Sequence, residues 1–430
     1  MISEIKGPGG PARSFKAESR GKTGFGVAFD IGTTTVVGAL VDLSTGTVLD
    51  AKATANPQSR WGRDVLSRIN AVLSDARLCA EMSRSVVSAC SSIIDSLRPE
   101  GGIKEITAAG NTVMTHLLLG VSPEPLSRVP YKPSFKEART LVASEIGFAA
   151  SGASLYTLPL IGGFVGGDTT AVIIALDLDK RPGVTLALDI GTNSEIVLCA
   201  HGAIYATSAA AGPAFEGGQI SAGMSAGHGA ISAVTIDPDG VRIEVIDSVA
   251  PIGICGSGVV DAVGGLIKAG VIDATGMIKG RDEVAGNLSN RIKGKDGVNS
   301  FVLYKGPSVE ITLTQQDVRA LQSAKAAIKA GIMMLLNKAG VSTSDIDKVY
   351  IAGAFGSNIK KEGLASIGIL EKEWLDRVES AGDAALNGAV LALSDEGRRD
   401  AEAAALMVKY VSLSGSAHFE REFIKDMDFR

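Results

Sequence analysis

Cysteine is scarce and unpatterned in this chain. Cys79, Cys90, Cys199 and Cys255 include no C-x-x-C spacing, which argues against a disulfide framework and against a zinc or iron–sulfur site built by this chain alone. His116, His201, His228 and His418 share no metal-ligand spacing either, and His116, inside an apolar helical stretch, reads as a satisfied core histidine. Aromatics are only 5% of residues, against 52 glycines, a profile that suits glycine-turned α/β layers better than a β-sandwich. There is no basic excess: 42 Lys plus Arg face 47 Asp plus Glu, for a net charge of −5. That balance excludes the footprint needed to neutralise a nucleic-acid backbone, and the one dense basic stretch, NRIKGK at 290–295, reads as a solvated loop. No apolar run approaches the ~20 residues that span a bilayer. Residues 1–23 lack the apolar centre of a signal peptide and read as a flexible tail. A cytoplasmic protein with neither membrane nor nucleic-acid partners is the expectation.

What is present is ample apolar material, 45% of 430 residues, enough for two domains of about 200 residues. Residues 25–29, 36–43 and 47–54 alternate like strands, with a turn at LSTG. Residues 64–97 carry apolar positions at helical spacing, and Cys79 and Cys90 fall among them as inert core thiols. Residues 105–120 read strand, glycine turn, helix; 159–178 read glycine turn, then an apolar helix or strand. The cycle restarts at 184–209 with three strands. GICGSG then opens a helix at 253–270, and 314–340 is the clearest helix, with Asp317 and Gly340 as its end signals. Residues 275–310 look like a polar, irregular excursion, and 348–359 a strand meeting a glycine turn.

Two interruptions decide the chemistry. FDIGTTT begins at Phe29 and LDIGTNSE at Leu188, each placing Asp-Ile-Gly-Thr between two strands. A turn that approaches a phosphate needs glycine, because a side chain would block the oxygens. It also needs donors, which backbone N–H groups and threonine hydroxyls supply. A carboxylate beside it repels phosphate directly but binds it through a hydrated Mg²⁺. The pattern is a hairpin phosphate cradle, used twice. No G-x-x-x-x-G-K-[ST] occurs, which excludes a P-loop, and no G-x-G-x-x-G follows the first strand, which argues against a dinucleotide fold. Aspartic proteases also bring two Asp turns together, but isoleucine at the second position and the helical content argue against them. For a single copy the plain reading is an aspartate that caps its own turn; repetition in matched contexts weakens it.

The order of these motifs resembles the actin, chaperone and sugar-kinase superfamily, whose two RNase H-like domains clamp Mg·ATP in a cleft. FDIGTTT looks like its first phosphate motif, LDIGTNSE its second and YIAGAFGSNI its adenosine motif. NPQSRWGRDVLSRI (56–69), GNTVMTHLLLG (110–120), GGFVGGDTTA (162–171) and AAGPAFEGGQISAGMSAGHGAI (210–231) are similar to the ATPase domain of reductive activators of corrinoid proteins. So are GICGSGVVDAVGGLI and LTQQDVRALQSAKAAI.

The resemblance implies an α/β fold of two RNase H-like domains, at 24–181 and 182–400, with residues 401–430 packing back on them. It implies ATP and Mg²⁺, with Asp30 and Asp189 in the metal shell and Gly32, Thr33, Thr34, Gly191, Thr192 and Asn193 around the phosphates. Gly256 and Ser257 would close the other side, Lys325 would reach ribose or phosphate, and Gly353, Ala354, Phe355 and Gly356 would flank the nucleoside. Asp168 would orient metal or attacking water, with an N-cap as its equally weighted plain reading. Glu195 and Glu216 are weaker candidates for water activation; for Glu216 a structural hydrogen bond is the preferred reading. Lys325 is equally readable as an exposed helical lysine. The implied function is ATP-driven reduction of a Co(II) corrinoid protein to Co(I). The family's fused iron–sulfur domain is not expected here, so a separate low-potential donor such as a ferredoxin would supply the electron. A small-molecule kinase, a non-redox ATP-gated binding module, and a homodimer stay open.

Overall fold

Alternation in the first segment builds three antiparallel strands, β1 (Phe25–Ile31), β2 (Thr35–Asp42) and β3 (Thr47–Ala55). The structure, a computed structural model, describes Arg13 and residues 23–97, 101–353 and 359–429. The helical stretch expected over 64–97 divides into α1 (Val65–Ser74) and α2 (Arg77–Leu97). The break is at Asp75: its N–H closes α1 on the Ala71 carbonyl, and its carboxylate accepts the Arg77 N–H at 3.0 Å to start α2. β4 (Ile103–Ala109), α3 (Thr112–Leu118), β5 (Arg139–Val142), β6 (Ser154–Thr157) and α4 (Gly167–Ala175) complete this half. The sheet order is β3-β2-β1-β4-β6-β5, with β1–β4 and β4–β6 parallel.

The second half opens with β7 (Thr185–Asp189), β8 (Ser194–Ala200) and β9 (Ala203–Ala209). After them come β10 (Ala230–Asp237), β11 (Gly240–Val245), β12 (Gly253–Ile254), α5 (Gly256–Lys268), β13 (Ile292–Lys295), β14 (Val298–Lys305) and β15 (Glu310–Thr314). The long α6 (Gln315–Ala339), β16 (Lys348–Ala352), α7 (Lys361–Ser366), β17 (Val378–Gly382), α8 (Ala384–Leu391), α9 (Asp395–Met407), β18 (Val408–Tyr410) and α10 (Ala417–Lys425) follow. Its main sheet runs β17-β16-β7-β8-β9-β18. Strands β9-β8-β7-β16-β17 therefore repeat β3-β2-β1-β4-β6 in order and direction, so Asp30 and Asp189 end equivalent central strands.

The polar excursion is ordered where irregular chain was expected. Asp296 and Gly297, at φ +52° and +75°, make the two-residue turn between β13 and β14, the conformation that Asp-Gly favours in hairpins. In α6, Thr314 and Asp317 form a reciprocal cap and Gly340 ends the helix in the left-handed region.

Apolar residues form a core on the outer face of each sheet and a third between the two sheets. In that middle layer α8 rests on β1, β2 and β4 of the first half and crosses α4. The crossing is tight: a Cβ at Gly388 would lie 2.1 Å from the Ala171 carbonyl oxygen.

Of residues 1–23, only Arg13 and Thr23 fall among the described residues. Arg13 is tied down: its N–H donates to the Ala175 carbonyl at 2.7 Å, and its guanidinium bonds Asp400 and Glu396 of α9. It lies 3.7 Å from Asp177, so it joins the end of α4 to α9. Arg13→Ala is expected to lower stability by about 1 kcal/mol, with the melting difference shrinking at high salt as screening sets in. A difference that persists unchanged in salt would assign Arg13 a packing role instead.

Candidate functional site

The first turn, residues 32–34, is held from behind. A Cβ at Gly32 would sit 2.8 Å from the Thr35 carbonyl oxygen, so the hairpin closes only over glycine. Asn56 Nδ2 donates to the Gly32 carbonyl at 2.8 Å, Arg68 Nη2 to the Thr33 carbonyl at 2.5 Å, and Asn111 Nδ2 to the Thr33 hydroxyl at 3.1 Å. Arg68 is fully buried and is satisfied by neutral acceptors, including the Gly62 carbonyl at 3.0 Å and Gln58 Oε1 at 3.2 Å. Burial pulls its pKa down to about 10, and the charge it retains lies directly behind the turn. Replacing it with methionine strands the Thr33 and Gly62 carbonyls. Arg68→Met should cost roughly 2–4 kcal/mol in denaturant melts; a loss below 1 kcal/mol would mean that the turn holds itself.

The second turn is tied to a glutamate. Glu216 Oε1 accepts the Thr192 N–H at 2.8 Å and the Thr192 hydroxyl at 2.7 Å. Its other oxygen accepts the Thr34 hydroxyl at 2.8 Å, so one carboxylate links the two turns across the cleft. The preferred sequence reading of Glu216, a hydrogen-bonded carboxylate, matches this geometry.

Beneath the turns lies an acidic floor. The ladders pair Asp30 with Ala109, Asp189 with Ala352, and Ala352 with Gly382, which lines up the carboxyl ends of the central strands. Asp189 also stands opposite Glu195 on β8, where the first half has Val37 opposite Asp30. Asp168 in the first turn of α4 and Asp383, which caps α8 by accepting the Leu386 N–H at 2.9 Å, start equivalent helices. Asp30 is held well above the usual carboxylate range, first by burial and then by Asp383, Asp189, Asp168 and Glu195. Burial, with Asp168 and Asp383, lifts Asp189 to about 7, and burial lifts Asp168 to about 6. Glu195 is raised by burial, Asp168 and Asp189, and Asp383 by burial. Among the described residues no lysine or arginine pairs with any of these five, and no three metal-ligating side chains are placed to hold one ion directly. Concentrated negative charge without direct ligation suits a divalent ion that keeps its waters.

The other expected residues divide. Gly353 adjoins the floor, at φ +90° with a would-be Cβ 2.4 Å from Asp189 Oδ1; Ala354, Phe355 and Gly356 lie outside the described residues. Asp168 is not an N-cap, since Gly166 holds that position; its carboxylate accepts the Thr169 N–H at 2.6 Å. Asn193 follows Thr192 in the turn before β8. Gly256 packs under the Glu216 turn, whereas the Ser257 hydroxyl is committed to the Ser232 carbonyl at 2.7 Å. Lys325 is a correction: it is buried, and its ammonium donates to the carbonyls of Asp426 and Asp428. It anchors the C-terminal segment beneath α6, so neither the ribose-phosphate role nor an exposed lysine fits. His116 is buried as expected, bonded to the Thr112 carbonyl at 2.7 Å and the Ser134 N–H at 3.1 Å. All four cysteines are buried and free.

Sequence reasoning passed over Asp383, although AGDAA after a strand parallels GGDTT. It also gave no role to Asn56, Arg68 or Asn111.

Comparison with known proteins adds family information to this geometry. Residues 183–430 match a family described as the C-terminal domain of RACo, the ASKHA domain, and residues 25–181 match one described as the RACo middle region. A corrinoid activation enzyme, RamQ, of Eubacterium limosum is 36% identical over 86% of this chain and 64% of its own length. A [Co(II) methylated amine-specific corrinoid protein] reductase of Methanosarcina barkeri is 32% identical over 54% of this chain and 44% of its own. The solved structure of a reductive activator for a corrinoid, iron–sulfur protein superposes with a TM-score of 0.85 at 34% identity, covering 96% of this chain and 67% of that one. The chain thus spans less than two thirds of the curated relatives it matches.

Proposed function

Since the chain belongs to the RACo family, with its ASKHA domain and middle region, we propose that it is an ATP-dependent reductive activator of a corrinoid protein. The observation that carries the nucleotide part is the pair of glycine-threonine turns facing each other over Asp30 and Asp189. The names of the relatives support the corrinoid part.

In this reading Asp30 and Asp189 would hold a Mg²⁺ through water, with Asp168, Asp383 and Glu195 completing the acidic field. When bound, the ion offsets the charge of the transferred phosphoryl group. Thr33, Thr34, Thr192 and the turn N–H groups bind and orient phosphate oxygens. Gly353 lets the end of β16 approach the nucleotide. With Asp30 and Asp189 assigned to the ion, Glu195 and Asp168 are the floor carboxylates offered for accepting a proton from attacking water.

The cobalt step is one electron: Co(II) takes an electron from a separate low-potential donor such as a ferredoxin and becomes Co(I). Each ~59 mV by which that transfer is uphill costs about 1.4 kcal/mol. A nucleotide-dependent clamp that binds one conformation of the corrinoid protein better than another supplies the difference by shifting populations.

The test is anaerobic. The purified chain is mixed with a Co(II) corrinoid protein and a low-potential reductant, and ATP turnover and the corrinoid spectrum are followed together. Co(I) formation only in the presence of Mg·ATP is expected. Phosphate release with no cobalt change would move the function to an ATP-gated binding module or a small-molecule kinase.

A further inference from the structure

We propose that the Glu216 carboxylate stands in for a phosphoryl group, filling the anion cradle between the two turns until nucleotide displaces it. The inference rests on the Mg·ATP reading and adds a competitor for the phosphate positions of that site.

The carboxylate accepts three hydrogen bonds: the Thr192 N–H at 2.8 Å, the Thr192 hydroxyl at 2.7 Å and the Thr34 hydroxyl at 2.8 Å. One backbone amide and two hydroxyls converging on a pair of anionic oxygens is also what a phosphate would use. Those donors come from both halves of the molecule, so the carboxylate bridges the cleft as a bound phosphate would. A phosphoryl group brings only acceptors and a charge of the same sign. It cannot share these donors with Glu216, so one anion excludes the other.

The surroundings fix the backbone of Glu216, so that any movement of its carboxylate falls to the side chain. It ends a short 3₁₀ turn, Pro213–Glu216, whose Phe215 is fully buried. Gly256 presses against that turn, since a Cβ there would lie 1.7 Å from the Phe215 carbonyl oxygen. Gly217 follows at φ +78°, with a would-be Cβ 2.6 Å from the Met224 carbonyl oxygen. With the turn wedged on both sides, only the side-chain torsions can release the carboxylate. An exposed Thr34 and a half-buried Glu216 give it a way out to solvent.

The three readings of Glu216 differ in the sign of one measurement. A stand-in competes with nucleotide, so Glu216→Ala should bind Mg·AMPPNP about 5- to 10-fold more tightly in calorimetry. A base for water would leave affinity unchanged and abolish turnover. A purely structural link would lower the melting temperature and weaken binding. Inorganic phosphate should also gain affinity in Glu216→Ala, whereas adenosine, which has no phosphate, should not. Glu216→Gln keeps the side chain's size but removes its charge and should fall between. Unchanged or weaker AMPPNP binding by folded Glu216→Ala and Glu216→Gln, beside normal binding by the unaltered chain, overturns the stand-in alone. If the unaltered chain binds neither AMPPNP nor ATP, the nucleotide reading fails first and takes this one with it.

Discussion

Asp189→Asn is expected to lower Mg·ATP turnover about 10- to 100-fold while making the metal-free protein more stable. Both effects follow from where the carboxylate lies. Burial, then Asp168 and Asp383, raise its pKa to about 7, so the folded chain holds this proton more tightly than the unfolded chain does. Between roughly pH 4 and pH 7 the native state therefore binds more protons than the unfolded state, and stability falls as pH rises through that window. Above pH 7 the full cost of the charge is carried, and a bound cation is what would offset it. Asparagine keeps the shape and drops the charge. The variant should gain roughly 1–3 kcal/mol over the unaltered chain at pH 8, a difference that closes towards pH 5. Thermal melts in chelator at the two pH values read the first effect, and phosphate release reads the second. Equal melts at both pH values together with unchanged turnover would remove Asp189 from the acidic floor and from the mechanism. A loss of turnover without the pH-dependent gain would keep it as a ligand and deny that its charge is strained.

Much of this floor was legible because it is built from local pattern. Asp30-Gly32-Thr33 and Asp189-Gly191-Thr192 each sit at a strand end, and strand alternation together with glycine punctuation gives that away. Asp383 carries a local cue in AGDAA, but its environment is made by register: it joins Asp189 only through two parallel pairings, β7 with β16 and β16 with β17. Arg68 was missed for a related reason. Its sequence neighbours read as an ordinary amphipathic helix, and the Thr33 carbonyl it holds is far away along the chain. Lys325 misled in the opposite direction. Its helix was read correctly, but α10 and the chain beyond it cover that face, and only their carbonyls explain a buried ammonium. The β13–β14 hairpin, by contrast, carried a local signal at Asp296-Gly297 that was overlooked because polar residues surround it. Local chemistry was readable, and partners brought in by tertiary pairing were not.

Gly353→Ala tests whether the placement of Asp189 depends on that pairing. Gly353 sits at φ +90° directly after β16, and a methyl there would lie 2.4 Å from Asp189 Oδ1. Two costs follow: a left-handed backbone that alanine resists, about 1–3 kcal/mol, and a carboxylate that has to move. Turnover should drop in the same range as for Asp189→Asn, about 10- to 100-fold, but stability should fall instead of rise. Gly340→Ala supplies the control, since it has nearly the same strain, φ +70°, with nothing within 4 Å of the added carbon. That variant should lose stability alone and keep its turnover. Because Gly353 acts through Asp189, the two substitutions share one effect on catalysis. The double variant should therefore turn over no more slowly than Asp189→Asn alone, the non-additivity expected of residues in contact. If Gly353→Ala hydrolyses Mg·ATP at the original rate, the carboxylate has room to shift without cost, and its fixed position is not what the chemistry needs. If the double variant is slower than either single one by the product of their losses, Gly353 contacts the nucleotide on its own account and belongs to the nucleoside side of the cleft.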